Sequence, residues 1–333
     1  MDQPQKNKLI ESVPNFSEGR NQAIIDGIAS AISGVKDVQL LHVDPGFSAN
    51  RTVYTLIGPP EAVLEALLSG AAYAAGHIDM RIHQGVHPRI GALDVCPLIP
   101  LQNISMDEVV RLSFKLGKCL AEELNIPVYL YANSAQNMHR FDLANIRKGE
   151  YESLPGKIHS PEWKPDFGKQ EFNSKSGASA VGARNFLIAF NVNLDTNDVS
   201  IARKIATRIR TSGYVDKATG KRVFSPDSLP ALKAIGWYVE EYGAAQVSTN
   251  IIDFNQNPPL QVFNAIKSLA ENYNTSVTGS ELVGMVPRSA LLKNAERFVP
   301  HLKTTEGAVH VICEYLNLSN KKVFVLEKQL LDY

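Results

Sequence analysis

A chain of 333 residues, 44% hydrophobic and 20% charged, has the make-up of folded globular protein, and its length suits two domains. Lys and Arg number 34 against 34 Asp and Glu; zero net charge disfavours nucleic acid or an anionic membrane as the main partner, since both need a basic surplus. No apolar run approaches the ~20 residues that span a bilayer, the start MDQPQKNKLIESVPNF lacks a signal-peptide plan, and Cys96, Cys119 and Cys313 are too scattered for a disulfide framework or a CxxC knuckle. The expectation is a soluble cytoplasmic protein.

In chain order, Leu9–Val13 reads as a short strand. Asn21 then caps a helix with Ile24, Ile25, Ile28, Ala31 and Ile32 on one face, ended by Gly34. Val38–Val43 and Thr52–Ile57 are β-rich runs joined by DPGFSANR, whose Pro, Gly and Asn form turns. Pro59 and Pro60 open a second helix striped by Val63, Leu64, Leu67, Leu68 and Ala71, and Asp94–Ile99 is the next strand. The order βαββαβ is the split βαβ of ferredoxin-like folds. Ser105 and Glu108 form a capping box for one more helix, and Val128–Tyr131 adds a strand.

Residues 133–184 carry Pro155, Pro161, Pro165 and repeated glycines with little period, so a linker or a functional loop is expected there. Regular patterning resumes with a strand at Phe186–Val192 and a helix at Asp198–Arg210. Strands at Leu232–Val239 and Gln246–Phe254, a helix at Pro258–Tyr273 and a strand at Val277–Val286 complete a second βαββαβ. A further helix and an apolar run, Val323–Leu326, close the chain. The fold class is α/β (α+β), with two related halves placed at residues 1–183 and 184–333. Two sheet-based halves would leave a cleft, a common position for ligands.

Three loops carry chemistry. The first is His83-Gln-Gly-Val-His87-Pro-Arg89-Ile-Gly91; with His42 and His77 it holds half of the eight histidines between residues 42 and 87. Zinc would suit two histidines four apart on a helix, but Gly85 and Pro88 break the helix and the Glu of HExxH is missing. Loop histidines of no consequence are the bland alternative. Gly85, Pro88 and Gly91 pin the backbone, and an imidazole held there suits general base work near neutrality.

The second loop is Asp44-Pro-Gly-Phe-Ser-Ala-Asn50-Arg51. Asp44 could orient an imidazole and Arg51 could clamp a carboxylate, although an Asx-turn beside a solvated Arg explains the segment equally well. The third runs from Asp166 to Arg184. Gly177 and Gly182 have the spacing of a P-loop, but Ala183-Arg184 replaces the needed Lys-Ser/Thr. No GxGxxG precedes a helix, and no GxSxG exists. Cys96 and Cys119 read as packing.

Together these loops resemble glutamate formimidoyltransferase (glutamate formiminotransferase), the module fused to a cyclodeaminase in animals. The matching segments are ESVPNFSEGRN, VDPGFSANRTVYTLIGPP, HQGVHPRIGALDVCPLIPL, AEELNIPVYLYA, IRKGEYESLPGKI, PDFG, GARNFLIAFNVNL, AIGWYVEE, AQVSTNIIDF and GSELVGMVP, almost end to end. A stand-alone transferase is expected, since no cyclodeaminase part follows. The resemblance implies transfer of the formimino group of N-formimino-L-glutamate to N5 of tetrahydrofolate, giving 5-formiminotetrahydrofolate and glutamate in histidine degradation. It implies two ferredoxin-like subdomains with a folate cleft between them, and a homodimer. His87 would be the catalytic base. The folate segment would be Phe167, Gly168, Lys169, Gln170, Glu171, Phe172, Asn173, Ser174, Lys175 and Ser176.

On chemical grounds Asp44 joins His87 as catalytic, and Arg51, Arg89 and Arg184 are candidate partners for substrate carboxylates. Tetrahydrofolate enters as co-substrate, and no metal is expected. The alternatives are formyl transfer between folate and glutamate, or a folate-binding protein that has lost turnover. The second is motivated by Val86 and His42, which stand where the family often carries acidic residues. A metal-dependent hydrolase is weaker, for lack of carboxylates near His83 and His87.

Overall fold

The computed structural model describes residues 8–216, 218–298, 307–319 and 324–331. The chain divides into two compact units, the first ending at Asn185 and the second starting at Phe186.

The first unit opens with β1 (Leu9–Ser12) and β2 (Asn15–Phe16), then α1 (Gln22–Ser33), β3 (Gln39–Gly46), β4 (Arg51–Gly58), α2 (Pro60–His77) and β5 (Leu93–Gln102). The Asn21 side chain accepts from the Ala23 and Ile24 amides, which fixes the start of α1 and aims Ile25, Ile28 and Ile32 into the core. Each such isoleucine contributes ~1.5–3 kcal/mol by burial. β4 and β5 flank the β1–β2 segment antiparallel, and β3 pairs outside β4. This is the ferredoxin-like strand order. Ile10, Tyr54 and Leu56 enter the core shared with α1 and α2, so by alternation Glu11 and Thr55 point to the opposite face.

α3 (Met106–Leu124), held by the Ser105–Glu108 capping box, leads to β6 (Val128–Ala132). The segment expected as loop then folds further. It contains α4 (Leu143–Arg147), α5 (Glu150–Lys157) and a strand, β7 (Ser179–Ala183), which lies between β5 and β6 and runs parallel to both. All five β7 residues are buried, so they show no alternation, and their small side chains imitate a loop. Asp44 is a second correction. It lies within β3 rather than in a turn, because an edge strand tolerates Pro45; the turn is confined to residues 47–50, with Asn50 at φ +46°.

The second unit repeats the plan with β8 (Ile188–Leu194), α6 (Val199–Ile209), the short hairpin β9 (Tyr214–Val215) and β10 (Arg222–Val223), β11 (Leu232–Val239), β12 (Ala244–Ile251), α7 (Pro259–Glu271) and β13 (Val277–Val283). Its order β11-β12-β8-β13, antiparallel throughout, is again ferredoxin-like. Gly236 lets α6 close on the sheet, since a Cβ there would lie 2.3 Å from the Arg203 amide nitrogen. The expected strand Val277–Val286 breaks after Val283; Val286 begins β14 (Val286–Pro287). α8 (Arg288–Leu292), α9 (Gly307–Tyr315), α10 (Leu326–Gln329) and β15 (Leu330–Leu331), parallel to β14, complete the unit. Of the expected run Val323–Leu326, Val323 lies outside the described residues and Leu326 starts α10. Among the described residues no helix is long and apolar enough to cross a membrane.

Candidate active site

The histidine loop is clamped to the β3–β4 turn. Asn50 donates from Nδ2 to the Gln84 carbonyl at 2.9 Å, and the Val86 amide donates to the Ser48 carbonyl at 3.1 Å. Gly85 is required by this approach, because a Cβ would sit 2.2 Å from the Ala49 carbonyl oxygen. His83 is part of the clamp. Arg89 Nε donates to its Nδ1 at 3.2 Å, so Nε2 carries the proton and donates to the Asn50 carbonyl at 2.8 Å. Burial, opposed by that carbonyl, lowers its pKa. Arg89 also donates to Glu150 at 3.0 Å and to Glu152 at 2.6 and 2.8 Å, which commits its guanidinium within the chain.

His87 stands at a charged cluster. β2 supplies the reason: Asn15 lies opposite Val95 and Phe16 opposite Leu93, leaving Asp94 as the extra residue of a β-bulge. The bulge turns Asp94 inward, where its Oδ1 accepts from the Ile90 amide at 2.8 Å. Its Oδ2 accepts from Arg51 and, at 2.5 Å, from Arg147 at the end of α4. Burial works to raise the Asp94 pKa, but Arg147 and Arg51 outweigh it and the net shift is down. Burial lowers Arg51 to about 10, with Asp94 opposing, so it stays charged at neutral pH. Two guanidiniums on one carboxylate leave the cluster with one surplus positive charge.

Arg51 also contacts the half-buried His87 ring at Nδ1, and the Pro88 carbonyl lies 2.8 Å from the same atom. Nδ1 cannot satisfy both. It accepts from Arg51 with the proton on Nε2, or donates to Pro88, and the Nε2 lone pair then faces Arg51 Nη1 at 3.4 Å. Burial first, then Arg51 and Arg147, push the His87 pKa well below its usual 6.5, outweighing Asp94 and the Pro88 carbonyl. The imidazole is therefore neutral at pH 7.

Asp44 is buried in β3 opposite Val53, on the sheet face that Arg51 also occupies. The fields acting on His87 include those of Arg51, Arg147 and Asp94. Arg184 follows β7, half-buried, with Nη1 donating to the Asn185 carbonyl at 2.9 Å.

The segment Phe167–Ser176 serves two places. Phe167 packs edge-on against Phe114 of α3 and bonds Val128, while Gly168 takes φ +91°. Lys169, Glu171, Phe172 and Asn173 line a small hollow with Asn125 and Pro127. Beyond the half-buried Gln170, Ser174 accepts from the Tyr151 hydroxyl at 2.5 Å, and Lys175 Nζ reaches the Gly76 carbonyl at 2.8 Å. The Ser176 carbonyl accepts from the Ala92 amide at 2.8 Å, which joins the segment to the end of the His87 loop.

Sequence reasoning singled out His87 and Arg51 but missed Asp94 and Arg147. A carboxylate opening the apolar run Asp94-Val-Cys-Pro-Leu-Ile was the available signal; nothing local marks Arg147. The thiol of buried Cys96 is pushed up to about 12 by burial, consistent with packing.

Comparison with known proteins places these residues in one family. Residues 9–184 match the formiminotransferase domain, N-terminal subdomain, and residues 189–333 match the formiminotransferase domain. The chain is 41% identical to a glutamate formimidoyltransferase of Streptococcus pyogenes, covering 88% of this chain and 93% of that one. A protein of the same name from Thermoplasma acidophilum is 39% identical over 90% of this chain and 95% of its own. Formimidoyltransferase-cyclodeaminase of Rattus norvegicus is 46% identical over 98% of this chain, which spans 60% of that relative's length. Among solved structures, a microcompartments protein of Desulfitobacterium hafniense aligns with 83% of this chain at TM-score 0.21 and 10% identity, too remote for any argument. Over nearly its whole length, the chain belongs to the formiminotransferase family.

Proposed function

We propose that the protein transfers the formimino group of N-formimino-L-glutamate to N5 of tetrahydrofolate, with His87 as general base. One observation carries this reading: in a chain of this family, a neutral imidazole stands beside a cluster bearing one surplus positive charge. N5 attacks the formimino carbon, the new N–C bond forms, and the bond from that carbon to the glutamate nitrogen breaks. The N5 proton passes to His87, and the glutamate nitrogen takes up a proton as it leaves. The tautomer suited to this donates from Nδ1 to Pro88 and takes the proton at Nε2, in place of the 3.4 Å contact from Arg51 Nη1. Positive charge near the base favours an approaching substrate carboxylate and keeps the imidazole unprotonated.

Asp44 is retained as a catalytic partner, Arg51 and Arg184 as groups that attract substrate carboxylates, and Phe167–Ser176 as the folate segment; Arg147 joins them through its place in the cluster. Arg89 is the weakest of the former carboxylate candidates, because Glu150 and Glu152 hold it. A homodimer in the cytoplasm, without metal, completes the reading.

The test is glutamate release from formiminoglutamate and tetrahydrofolate. His87→Ala is expected to lower kcat by about 10²- to 10⁴-fold while tetrahydrofolate binding persists. Equal release from both proteins would sink the role of His87, and no release from the wild type would sink the reaction.

A further inference from the structure

Glu11 of β1 is 1% exposed, and among the described residues neither carboxylate oxygen has a hydrogen-bond partner. Its neighbours across the strands are apolar, Ile57 on β4 and Ile99 on β5. Two residues before Ile57, on the same face, Thr55 is 1% exposed and its hydroxyl is likewise without a hydrogen-bond partner among the described residues. His42 lies opposite Thr55, and Asp44 and Arg51 occupy the same face farther along. Arg184 lowers the Glu11 pKa, but burial prevails and pushes it up to about 7.

A buried carboxylate without hydrogen bonds destabilises the fold that contains it, and a well-packed apolar residue would serve the sheet better. Two acceptor oxygens side by side match a group with two parallel N–H donors. We infer that Glu11 and Thr55 form a subsite for an N–C–N edge bearing two N–H groups, Glu11 accepting from both and Thr55 bonding the adjoining polar atom. The inference rests on the proposed reaction, whose substrates both supply such an edge. One is the ring N3–H with the 2-amino group of tetrahydrofolate; the other is the formamidine of formiminoglutamate.

The experiment compares full-length wild type, Glu11→Gln and Thr55→Val by calorimetric binding and thermal unfolding. The ligands are tetrahydrofolate, its 2-desamino-2-methyl analogue and formiminoglutamate. Glu11→Gln is expected to melt no lower than wild type without ligand and to lose about 10- to 100-fold in affinity for one substrate. Loss for tetrahydrofolate, with the analogue bound alike by both proteins, assigns the edge to the pterin. Loss for formiminoglutamate alone assigns it to the formamidine. Thr55→Val should give a smaller loss for the same ligand.

Unchanged affinities overturn the subsite, as does a lowered melting temperature with equal losses for all three ligands. Glutamate release by the wild type, measured alongside, separates the two readings. Release together with unchanged binding in Glu11→Gln sinks the subsite alone. A wild type that binds neither substrate sinks both.

Discussion

The two units share a strand order but put different chemistry on the central strand. In the first, β1 carries Glu11, and the same sheet holds Arg51 and Asp94, with Arg147 reaching in from α4. In the second, β8 carries the amides Asn191 and Asn193, both buried. There Trp237 Nε1 donates to Gln246 at 2.6 Å, and Gln246 Nε2 donates to Asn193 Oδ1 at 2.8 Å. An indole N–H can only donate, so Trp237 fixes the orientation of both amides. Asn191 donates to Glu281 at 2.8 Å, and Tyr242 donates to the other Glu281 oxygen at 2.5 Å. One topology thus supports a sheet with a buried Arg–Asp cluster and a sheet with buried amide relays. Topology positions; the side chains decide the chemistry.

The contrast can be broken most directly at Asp94. Asp94→Ala strands two buried guanidiniums, and a stability loss of about 3–5 kcal/mol in urea unfolding is expected. A loss below that of Gln246→Leu in the second sheet would remove the energetic distinction between the sheets.

Glu11 gives the next effect. Its folded pKa of about 7 lies above the usual 4.5, so the folded state holds the proton more tightly. Stability should therefore be highest below pH 4.5 with respect to this group and fall by about 3 kcal/mol as pH rises through 7. Above that the penalty is constant. The difference in unfolding free energy between wild type and Glu11→Gln, followed across this window, should carry that slope; a flat difference would contradict it.

In the second sheet, Gln246→Leu removes the acceptor of half-buried Trp237 Nε1 and the donor to buried Asn193 Oδ1, a cost of about 1–3 kcal/mol by the same unfolding measurement. The smallest effect is confined to acid pH. Arg147→Gln removes a cation that lowers the His87 pKa, so the acid limb of kcat/KM should move to higher pH. A limb that stays in place would separate Arg147 from the base.

Most of the scaffold is legible in the sequence because amphipathic segments with clear caps, such as the Asn21-capped helix and the Ser105–Glu108 box, encode themselves locally. β7 is not, since a strand buried on both faces of its sheet has no alternating pattern to read. The same division holds in the site. His87 announces itself in a loop pinned by Gly85 and Pro88, and Arg51 directly after the turn formers of the β3–β4 connection. Asp94 and Arg147 acquire meaning only when residues 53 positions apart in the chain meet.

The insertion of β7 between β5 and β6 also bears on how the molecule is made. β6 is synthesised first, yet it reaches the rest of the sheet only through a strand that emerges after the whole of α4, α5 and the Phe167–Ser176 segment. Parallel closure over such a separation is slow compared with hairpin formation. The excursion that delivers Arg147 to Asp94 is tied down at the same step, so acquisition of the charged cluster should coincide with the late phase of refolding. Trp163, packed edge-on against Tyr129 of β6, is a natural fluorescent reporter of that moment.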